Sequence, residues 1–90
     1  MAEKSLLEFF SPQCPICQLQ EKWVEKICQK YKLSHQKIDV LKSPRLAQQY
    51  QVMGLPTYLL INKGQAIKSL AGKMKESDFE KTLISWLKKD

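Results

Sequence analysis

The sequence of 90 residues predicts an α/β fold, in which a four-stranded mixed sheet carries three helices in the order β-α-β-α-β-β-α. Short apolar runs alternate with amphipathic stretches, as in chains that combine strands with helices. Two of the runs are separated only by a short segment containing glycine, which is typical of a β-hairpin. Right-handed crossovers would place helices on both faces of the sheet. No repeat or linker divides the chain, and single cores usually contain about 50–200 residues, so we expect residues 1–90 to form one domain.

The first half of the chain predicts a strand, a long helix and a second strand. Residues 5–10 (SLLEFF) are apolar and are followed by the turn-forming sequence Ser-Pro-Gln, as expected of a short, largely buried strand. Residues 35–41 (HQKIDVL) are a second strand candidate. Between them, residues 14–32 carry apolar side chains at offsets of three and four, which form one face of a helix. The predicted apolar face comprises Ile16, Leu19, Trp23, Val24, Ile27, Cys28 and Tyr31.

The second half predicts a helix, a hairpin and a last helix. Residues 43–52 begin with a serine suited to the N-cap and a proline suited to the first helical position. Residues 57–61 and 66–70 are expected to pair as strands around a turn that contains Gly64. Residues 75–89 have the pattern of an amphipathic helix. Ser77 or the residues before it are expected to cap this helix, and its apolar face comprises Phe79, Leu83, Trp86 and Leu87.

The composition argues against nucleic-acid binding and against a membrane span. The formal net charge is +6, but the lysines are dispersed: three of them, Lys22, Lys26 and Lys30, alternate with glutamates on one predicted helix, and others fall singly in loops. Arg45 is the single arginine, the usual base-reading side chain. The charge leaves a mild preference for acidic protein partners. No segment approaches the ~20 apolar residues that a membrane span requires. The first ten residues lack the features of a secretory signal, so we expect a soluble, cytoplasmic protein.

Cys14 and Cys17 form a Cys-Pro-Ile-Cys motif at the predicted start of the first helix. Pro15 suits the first helical turn and disfavours helical backbone at the residue before it, which predicts Cys14 at the N-cap. The dipole and the unpaired N–H groups at this end favour a thiolate, which is the attacking species in disulfide exchange. We expect Cys14 to be the nucleophile, because the cap is the more exposed position, and Cys17 to be the resolving thiol.

Metal binding is the alternative interpretation of the cysteine pair. A zinc site would need two more ligands, and the remaining candidates, Cys28 and His35, lack paired-ligand spacing. A metal or iron–sulfur module built on the two thiolates would need a second chain or an exogenous thiol to complete its ligand set. The odd total of three cysteines fits a reducing compartment. Cys28 lies among apolar residues and is expected to be a buried free thiol.

Three segments together resemble the thioredoxin superfamily over nearly the whole chain. LLEFFSPQCPIC resembles the strand, loop and Cys-x-x-Cys motif of that family, and VMGLPTYLLINKGQ resembles its Gly-hydrophobic-Pro-Thr segment and hairpin. LAGKMKESDFEKTLISWL resembles its closing glycine and C-terminal helix. The Cys-Pro-x-Cys order and the short N-terminal region resemble glutaredoxins instead. The resemblance therefore implies a thioredoxin fold in a minimal, glutaredoxin-sized thioredoxin-like protein.

The resemblance also implies a substrate-binding loop. The bond between Leu55 and Pro56 is expected to be cis, in a loop beside the cysteines, and the backbone of Leu55 is expected to pair with an incoming substrate chain. Exposed Ile16, Leu55 and Met53 would form an apolar contact patch. The full set of expected substrate-binding residues is Pro15, Ile16, Met53, Leu55, Pro56 and Gly72.

Two further positions match the family individually. Glu8 corresponds to a buried acid on the first strand, which in thioredoxins assists deprotonation of the resolving cysteine. A buried acid there would be a usable base, whereas a solvent-facing position in an alternating strand is the alternative. His35 lies near a position where thioredoxins often carry a lysine close to that acid. We therefore hypothesise a Glu8–His35 pair below Cys17.

The function implied by the resemblance is a thiol–disulfide oxidoreductase that reduces protein disulfides through Cys14 and Cys17. An upstream disulfide reductase would restore the dithiol, and no metal or organic cofactor would be needed. A monomer is expected. A disulfide oxidant or isomerase on the same fold is the alternative, because the direction of transfer follows the redox potential.

Overall fold

The computed structural model describes residues 4–88. Its elements are β1 (Lys4–Phe10), α1 (Pro15–Lys30), β2 (Ser34–Asp39), α2 (Pro44–Gln49), β3 (Thr57–Asn62), β4 (Gln65–Ala71) and α3 (Glu76–Lys88). The strands form one mixed sheet in the order β2-β1-β3-β4, with β1 parallel to β2 and antiparallel to β3. This arrangement confirms the predicted order and sheet. Lys89, the last residue of the final predicted helix, lies outside the described residues. Residues 1–3, which belong to the segment that lacks the features of a secretory signal, also lie outside them.

Strand β1 is buried on both faces of the sheet, because different helices cover the two sides. Successive side chains of a strand point to opposite faces, so Leu6 and Leu7 enter separate cores. The core beneath α1 and α3 includes Leu6, Val24, Ile27, Tyr58, Leu60, Phe79 and Leu83. The core beneath α2 includes Leu7, Phe9 and Leu59, with Ala47 and Tyr50 packed against them. The expectation of helices on both faces is therefore confirmed.

The connection between β2 and α2 differs from the prediction. β2 begins one residue earlier than predicted and ends at Asp39, because the backbone C=O of Asp39 accepts the N–H groups of Lys42 and Ser43 in a turn. Ser43 occupies the N-cap position of α2, but its side chain makes no capping hydrogen bond. α2 ends at Gln49, three residues before the predicted end, and Gln51 then adopts a left-handed φ of 57°, which stops the helix.

The long helices differ from the prediction in two details. α3 begins at Glu76, so Ser77 lies inside its first turn, and the cap position belongs to the residues before it, which was the other option of the prediction. On α1, Leu19 was predicted to be in the core but is 63% exposed, whereas the neighbouring Gln20 is 2% exposed. Within residues 4–88, none of the helices combines the length and the apolar character needed to cross a membrane.

Candidate active site

The cysteine pair lies in a tight turn at the carboxyl end of β1. The backbone C=O of Ser11 accepts the N–H of Cys14 at 3.1 Å, and the Oγ of Ser11 accepts the N–H of Gln13 at 3.2 Å. Cys14 is the N-cap of α1, with extended backbone at φ −102° and ψ 104°, and Pro15 is the first helical residue. Both features agree with the prediction from the Cys-Pro sequence. The turn therefore fixes Cys14 at the positive end of the α1 dipole.

The two cysteines differ in exposure although they are one helical turn apart. Cys14 is partly exposed, whereas Cys17 is 1% exposed. Their sulfur atoms are joined in a disulfide, with the two Cα atoms 5.2 Å apart. The Sγ of Cys14 also accepts a hydrogen bond from the backbone N–H of Cys17 at 3.1 Å. The pair thus combines one accessible sulfur with one that is shielded by the protein.

The loop before β3 lies at the same edge of the sheet as the cysteines. Phe9 and Thr57 are register partners of β1 and β3, so Pro56 lies beside the end of β1 from which the cysteine turn departs. The Leu55–Pro56 peptide bond is cis, as the resemblance implied. The Oγ1 of Thr57 donates to the C=O of Gly54 at 2.6 Å. The cis-proline loop, residues 52–57, is thus an ordered segment at the same edge of the sheet as the disulfide.

Gly72 ties the end of β4 to the cis-proline loop. Its backbone N–H donates to the C=O of Pro56 at 2.8 Å. Its φ of +94° lies in the left-handed region, where a residue with a Cβ is strained. Glycine is therefore the residue that adopts this backbone conformation without strain.

The expected apolar patch is less exposed than predicted. Met53 is 94% exposed, and Pro15 is also exposed. Ile16 and Leu55, however, are only partly exposed, because Leu55 packs against the core beneath α2 and Ile16 lies in the first turn of α1. Pro56 is buried. Met53 therefore supplies most of the exposed apolar surface on the cis-proline loop.

Glu8 is completely buried in the middle of β1 and is paired with His35. The Oε1 of Glu8 lies 2.8 Å from the Nε2 of His35, whose side chain is 10% exposed. The other carboxyl oxygen, Oε2, has no hydrogen-bond partner among the described residues. The solvent-facing alternative for Glu8 is therefore wrong, and the hypothesised pair is present. The pair leaves one buried oxygen available to accept a proton or a hydrogen bond.

Cys28 is a buried free thiol, as predicted, with 1% of its surface exposed. Burial, and after it the negative charges of Glu8 and Glu25, raise the pKa of Cys28 to about 12. At neutral pH the group is therefore a thiol and a poor nucleophile.

The structure gives no support to the metal-binding alternatives. Cys14 and Cys17 are bonded to each other, and Cys28 and His35 do not complete a ligand set with them. In the part of the chain from 4 to 88, no cluster of three or more His, Cys, Asp or Glu side chains is placed to hold a metal ion.

Gln20 is a structural residue near the site that the apolar pattern missed. Its Nε2 donates to the Oη of Tyr58 at 3.0 Å, and its Oε1 accepts the backbone N–H of Met74 at 2.8 Å. It joins α1 to β3 and to the segment between Gly72 and α3. The available signal was its position, three residues after Cys17 and four before Val24, on the buried face of the helix.

Comparison with known proteins agrees with this geometry. The thioredoxin family model matches residues 1–85. Thioredoxin 1 of Nostoc sp. is 28% identical over 80 residues, which cover 87% of this chain and 75% of that protein. The bifunctional thioredoxin reductase/thioredoxin of Mycobacterium leprae is 32% identical over 69 residues, or 74% of this chain and 15% of that protein.

A solved structure leads to the same assignment. The oxidised form of mitochondrial thioredoxin 3 from Saccharomyces cerevisiae has a TM-score of 0.83 to this chain at 27% identity, over 94% of this chain and 80% of that one. Fold, cis-proline loop and paired cysteines thus agree with the match of the family model. The chain belongs to the thioredoxin family and is a thiol–disulfide oxidoreductase, a protein-disulfide reductase.

Proposed function

We propose that a single domain carries the reaction, with Cys14 as the attacking thiolate and Cys17 as the resolving thiol. The observation that carries this proposal is the contrast between the two sulfurs, since Cys14 is partly exposed and Cys17 is 1% exposed. A substrate disulfide is held in a bulky protein and can reach only an accessible sulfur. Attack therefore begins at Cys14.

The start of α1 stabilises the Cys14 thiolate. The N–H of Cys17 lies 3.1 Å from the Cys14 sulfur, and hydrogen bonds to a charged acceptor are roughly twice as strong as neutral ones. The helix dipole adds a partial positive charge at the same place. Both contributions favour the thiolate over the thiol, and the thiolate is the species that exchanges with disulfides.

The reaction transfers two electrons from the dithiol to the substrate in two exchanges. The Cys14 thiolate first attacks one sulfur of the substrate disulfide; that bond breaks, a mixed disulfide forms, and the released substrate thiolate takes a proton. Cys17 then loses its proton and attacks the sulfur of Cys14. The mixed disulfide breaks, the second substrate thiolate leaves and is protonated, and the protein ends with the Cys14–Cys17 disulfide. The substrate is reduced to a dithiol.

The cis-proline loop orients the substrate chain during both exchanges. In this proposal the backbone of Leu55 pairs with an extended substrate segment, while Met53, Ile16 and Pro15 provide the surrounding apolar contacts. The loop is held by the bond from Thr57 to Gly54 and by that from Gly72 to Pro56. A rigid loop reduces the entropy that substrate binding has to overcome.

Glu8 is the proposed proton acceptor for Cys17. It lies on the same sheet face as Leu6, toward α1, and its Oε2 has no hydrogen-bond partner among the described residues. His35 holds the other oxygen and so orients the carboxyl group. A carboxylate in this environment can remove the thiol proton when Cys17 attacks.

The Cys14–Cys17 disulfide has to be reduced again before the next turnover. An upstream disulfide reductase returns the two electrons; the Mycobacterium leprae relative, whose name joins a thioredoxin reductase to a thioredoxin, supports this class of donor. We further propose that the protein acts as a monomer in the cytoplasm and uses neither a metal nor an organic cofactor.

Trapping of the mixed disulfide tests the cysteine roles. The Cys17→Ser variant is expected to accumulate a covalent adduct with a disulfide-containing protein, whereas Cys14→Ser forms none. Cys28→Ser, which removes the buried free thiol, is the matched control and is expected to reduce the disulfide of the substrate protein like the wild type. An adduct on Cys17 in the Cys14→Ser variant, found by mass spectrometry, would reverse the two roles.

The midpoint potential of the Cys14–Cys17 couple tests the direction of transfer. Alkylation across defined dithiol buffers is expected to give a reversible two-electron transition at about −200 to −270 mV, the range of glutaredoxins and thioredoxins. A potential near that of strong oxidants, about −120 mV, would contradict a reductant.

A further inference from the structure

The net charge of the chain is confined to one segment. Residues 40–75 contain no acidic residue, whereas the remaining positions carry equal numbers of basic and acidic side chains. The whole formal charge of +6 therefore belongs to residues 40–75. The basic residues of this segment, all exposed, are Lys42, Arg45, Lys63, Lys68, Lys73 and Lys75.

This segment builds the substrate side of the site. It contains α2, the cis-proline loop, the β3–β4 hairpin and Gly72. The ion pairs Lys30–Glu80, His35–Glu8 and Lys37–Glu21 lie outside this segment. Lys68, Lys73 and Lys75 take part in none of these three pairs, so their positive charges act on a chain that approaches the disulfide.

A groove of about 450 Å³ runs from the cis-proline loop along β4. Met53, Gly54 and Thr57 line its end at the loop, Ile67 and Lys68 line the side formed by β4, and all of its lining residues fall between positions 50 and 71. Ile67 is 42% exposed and Met53 is 94% exposed, so the groove offers apolar contacts as well as charge. Lys73 follows Gly72, whose N–H binds the C=O of Pro56.

We propose that the surface around the cis-proline loop and Gly72, with the exposed lysines Lys68, Lys73 and Lys75, binds an acidic segment next to the reactive cysteine of the substrate protein. The inference rests on the proposed function, because it assigns a substrate class to the same site. An extended chain held by the cis-proline loop takes apolar contacts from the groove, and carboxylates on either side of its cysteine meet the lysines that flank the loop. Complementary charges at the rim of an interface raise the association rate and select among partners.

A polypeptide suits this surface better than a nucleic acid. Arg45 is the single arginine of the chain, although arginine is the usual reader of bases. The aromatic residues of the segment are Tyr50, which packs into the core beneath α2, and Tyr58, which is fully buried, so neither provides a flat platform for stacking bases. The groove is also continuous with a loop whose partner is a protein disulfide.

The test compares disulfide-bridged peptides of one length in which the cysteines are flanked by glutamates, glutamines or lysines. The glutamate peptide is expected to be reduced with a kcat/KM about fivefold above that of the glutamine peptide at low salt, and the lysine peptide more slowly than both. The advantage should shrink between about 0.02 M and 0.2 M salt, because the screening length falls below about 10 Å.

Matched variants separate this surface from the rest of the charge. Lys68→Gln/Lys73→Gln/Lys75→Gln is expected to abolish the preference for the glutamate peptide, while Lys22→Gln/Lys26→Gln/Lys81→Gln, which removes equally exposed charges from α1 and α3, preserves it. Circular dichroism checks that both variants are folded.

Each failure has its own signature. Equal rates for the three peptides would overturn the inference and leave the reductase intact, whereas no reduction of the glutamine peptide would overturn the proposed function. Tighter binding of a single-stranded oligonucleotide than of the glutamate peptide, lost in the first variant only, would assign the surface to nucleic acid and also overturn the inference.

Discussion

The Nε2 of His35 lies 2.8 Å from the Oε1 of Glu8, and this carboxyl group is completely buried in the central strand β1. The contact joins the parallel strands β1 and β2 beneath α1. A buried carboxyl group is unfavourable unless it is paired; here one oxygen is paired, while the other has no hydrogen-bond partner within residues 4–88. Such an arrangement favours a role in proton transfer over a purely structural one.

Replacing Glu8 is expected to slow the second exchange. In Glu8→Gln the amide keeps the size of the side chain and a hydrogen bond to His35 but cannot accept the proton of Cys17. The resolution of a mixed disulfide at Cys14 should fall about 100-fold, the lower range of general-base contributions. A mixed disulfide with a chromophoric thiol measures this step directly, because resolution by Cys17 releases the chromophore.

The pH profile of the same step separates catalysis from packing. Glu8→Gln and His35→Ala are both expected to change the pH dependence of Cys17 reactivity, whereas Glu25→Gln, which removes an exposed carboxylate from α1, is not. If both variants of the pair keep the wild-type pH profile, the pair has no part in proton transfer.

Substitution of the polar residue Gln20 is expected to lower the free energy of unfolding more than substitution of the apolar residue Leu19, because Gln20 is buried and Leu19 is exposed. Gln20→Leu removes both hydrogen bonds and leaves the buried Tyr58 hydroxyl and the Met74 N–H without this partner, which destabilises by about 1–3 kcal/mol per group. Leu19→Gln replaces an exposed side chain and should change the free energy of unfolding by less than about 0.5 kcal/mol. Urea unfolding measures both. Equal stability losses in the two variants would contradict the assignment of Gln20.

These two residues show where sequence patterns succeed and fail. Counting apolar residues at helical spacing identified α1, because three of the predicted face residues are buried and three more are partly buried. The pattern could not reveal that the buried face of α1 includes the polar residue Gln20. The groups that bind its side chain belong to Tyr58 and Met74, which are distant in sequence. The hydrophobicity of a segment predicts which apolar side chains are buried. It does not predict which polar side chains are buried with hydrogen-bond partners from other elements.

The candidate site was predictable where it depends on local chemistry. The Cys-Pro sequence fixes the cap of α1 through backbone preferences alone, and Gly72 has the positive φ expected of a glycine. The exposure of Ile16 and Leu55 was not predictable in this way, because it depends on the cores that other elements build beneath them. Likewise Ser43 has the sequence of a cap, but its side chain makes no capping bond.

Glu80 is expected to make the stability of the protein depend on acid pH. Hydrogen bonds, first from Lys30 at 2.8 Å and then from Tyr31 at 2.6 Å, lower the pKa of Glu80 below its ordinary value of 4.5. A carboxyl group with a lowered pKa stabilises the folded state above its unfolded-state pKa, and this contribution disappears as the pH falls through the folded-state pKa. The difference in melting temperature between wild type and Glu80→Gln should therefore be positive at pH 7 and shrink toward zero at pH values well below 4.5. A difference that persists unchanged in acid would exclude this carboxylate as its source.

Cys28 is expected to resist alkylation in the folded, reduced protein. Its pKa of about 12, raised mainly by burial, leaves very little thiolate at pH 8, and its sulfur is shielded from reagents. Iodoacetamide should therefore modify Cys14 within minutes, whereas Cys28 reacts only after the protein is unfolded in urea. Peptide mapping by mass spectrometry distinguishes the two sites, and Cys28→Ser identifies the signal that belongs to Cys28. Rapid labelling of Cys28 under native conditions would show that the core beneath α1 opens on the timescale of the reaction, so that the thiol is available for exchange.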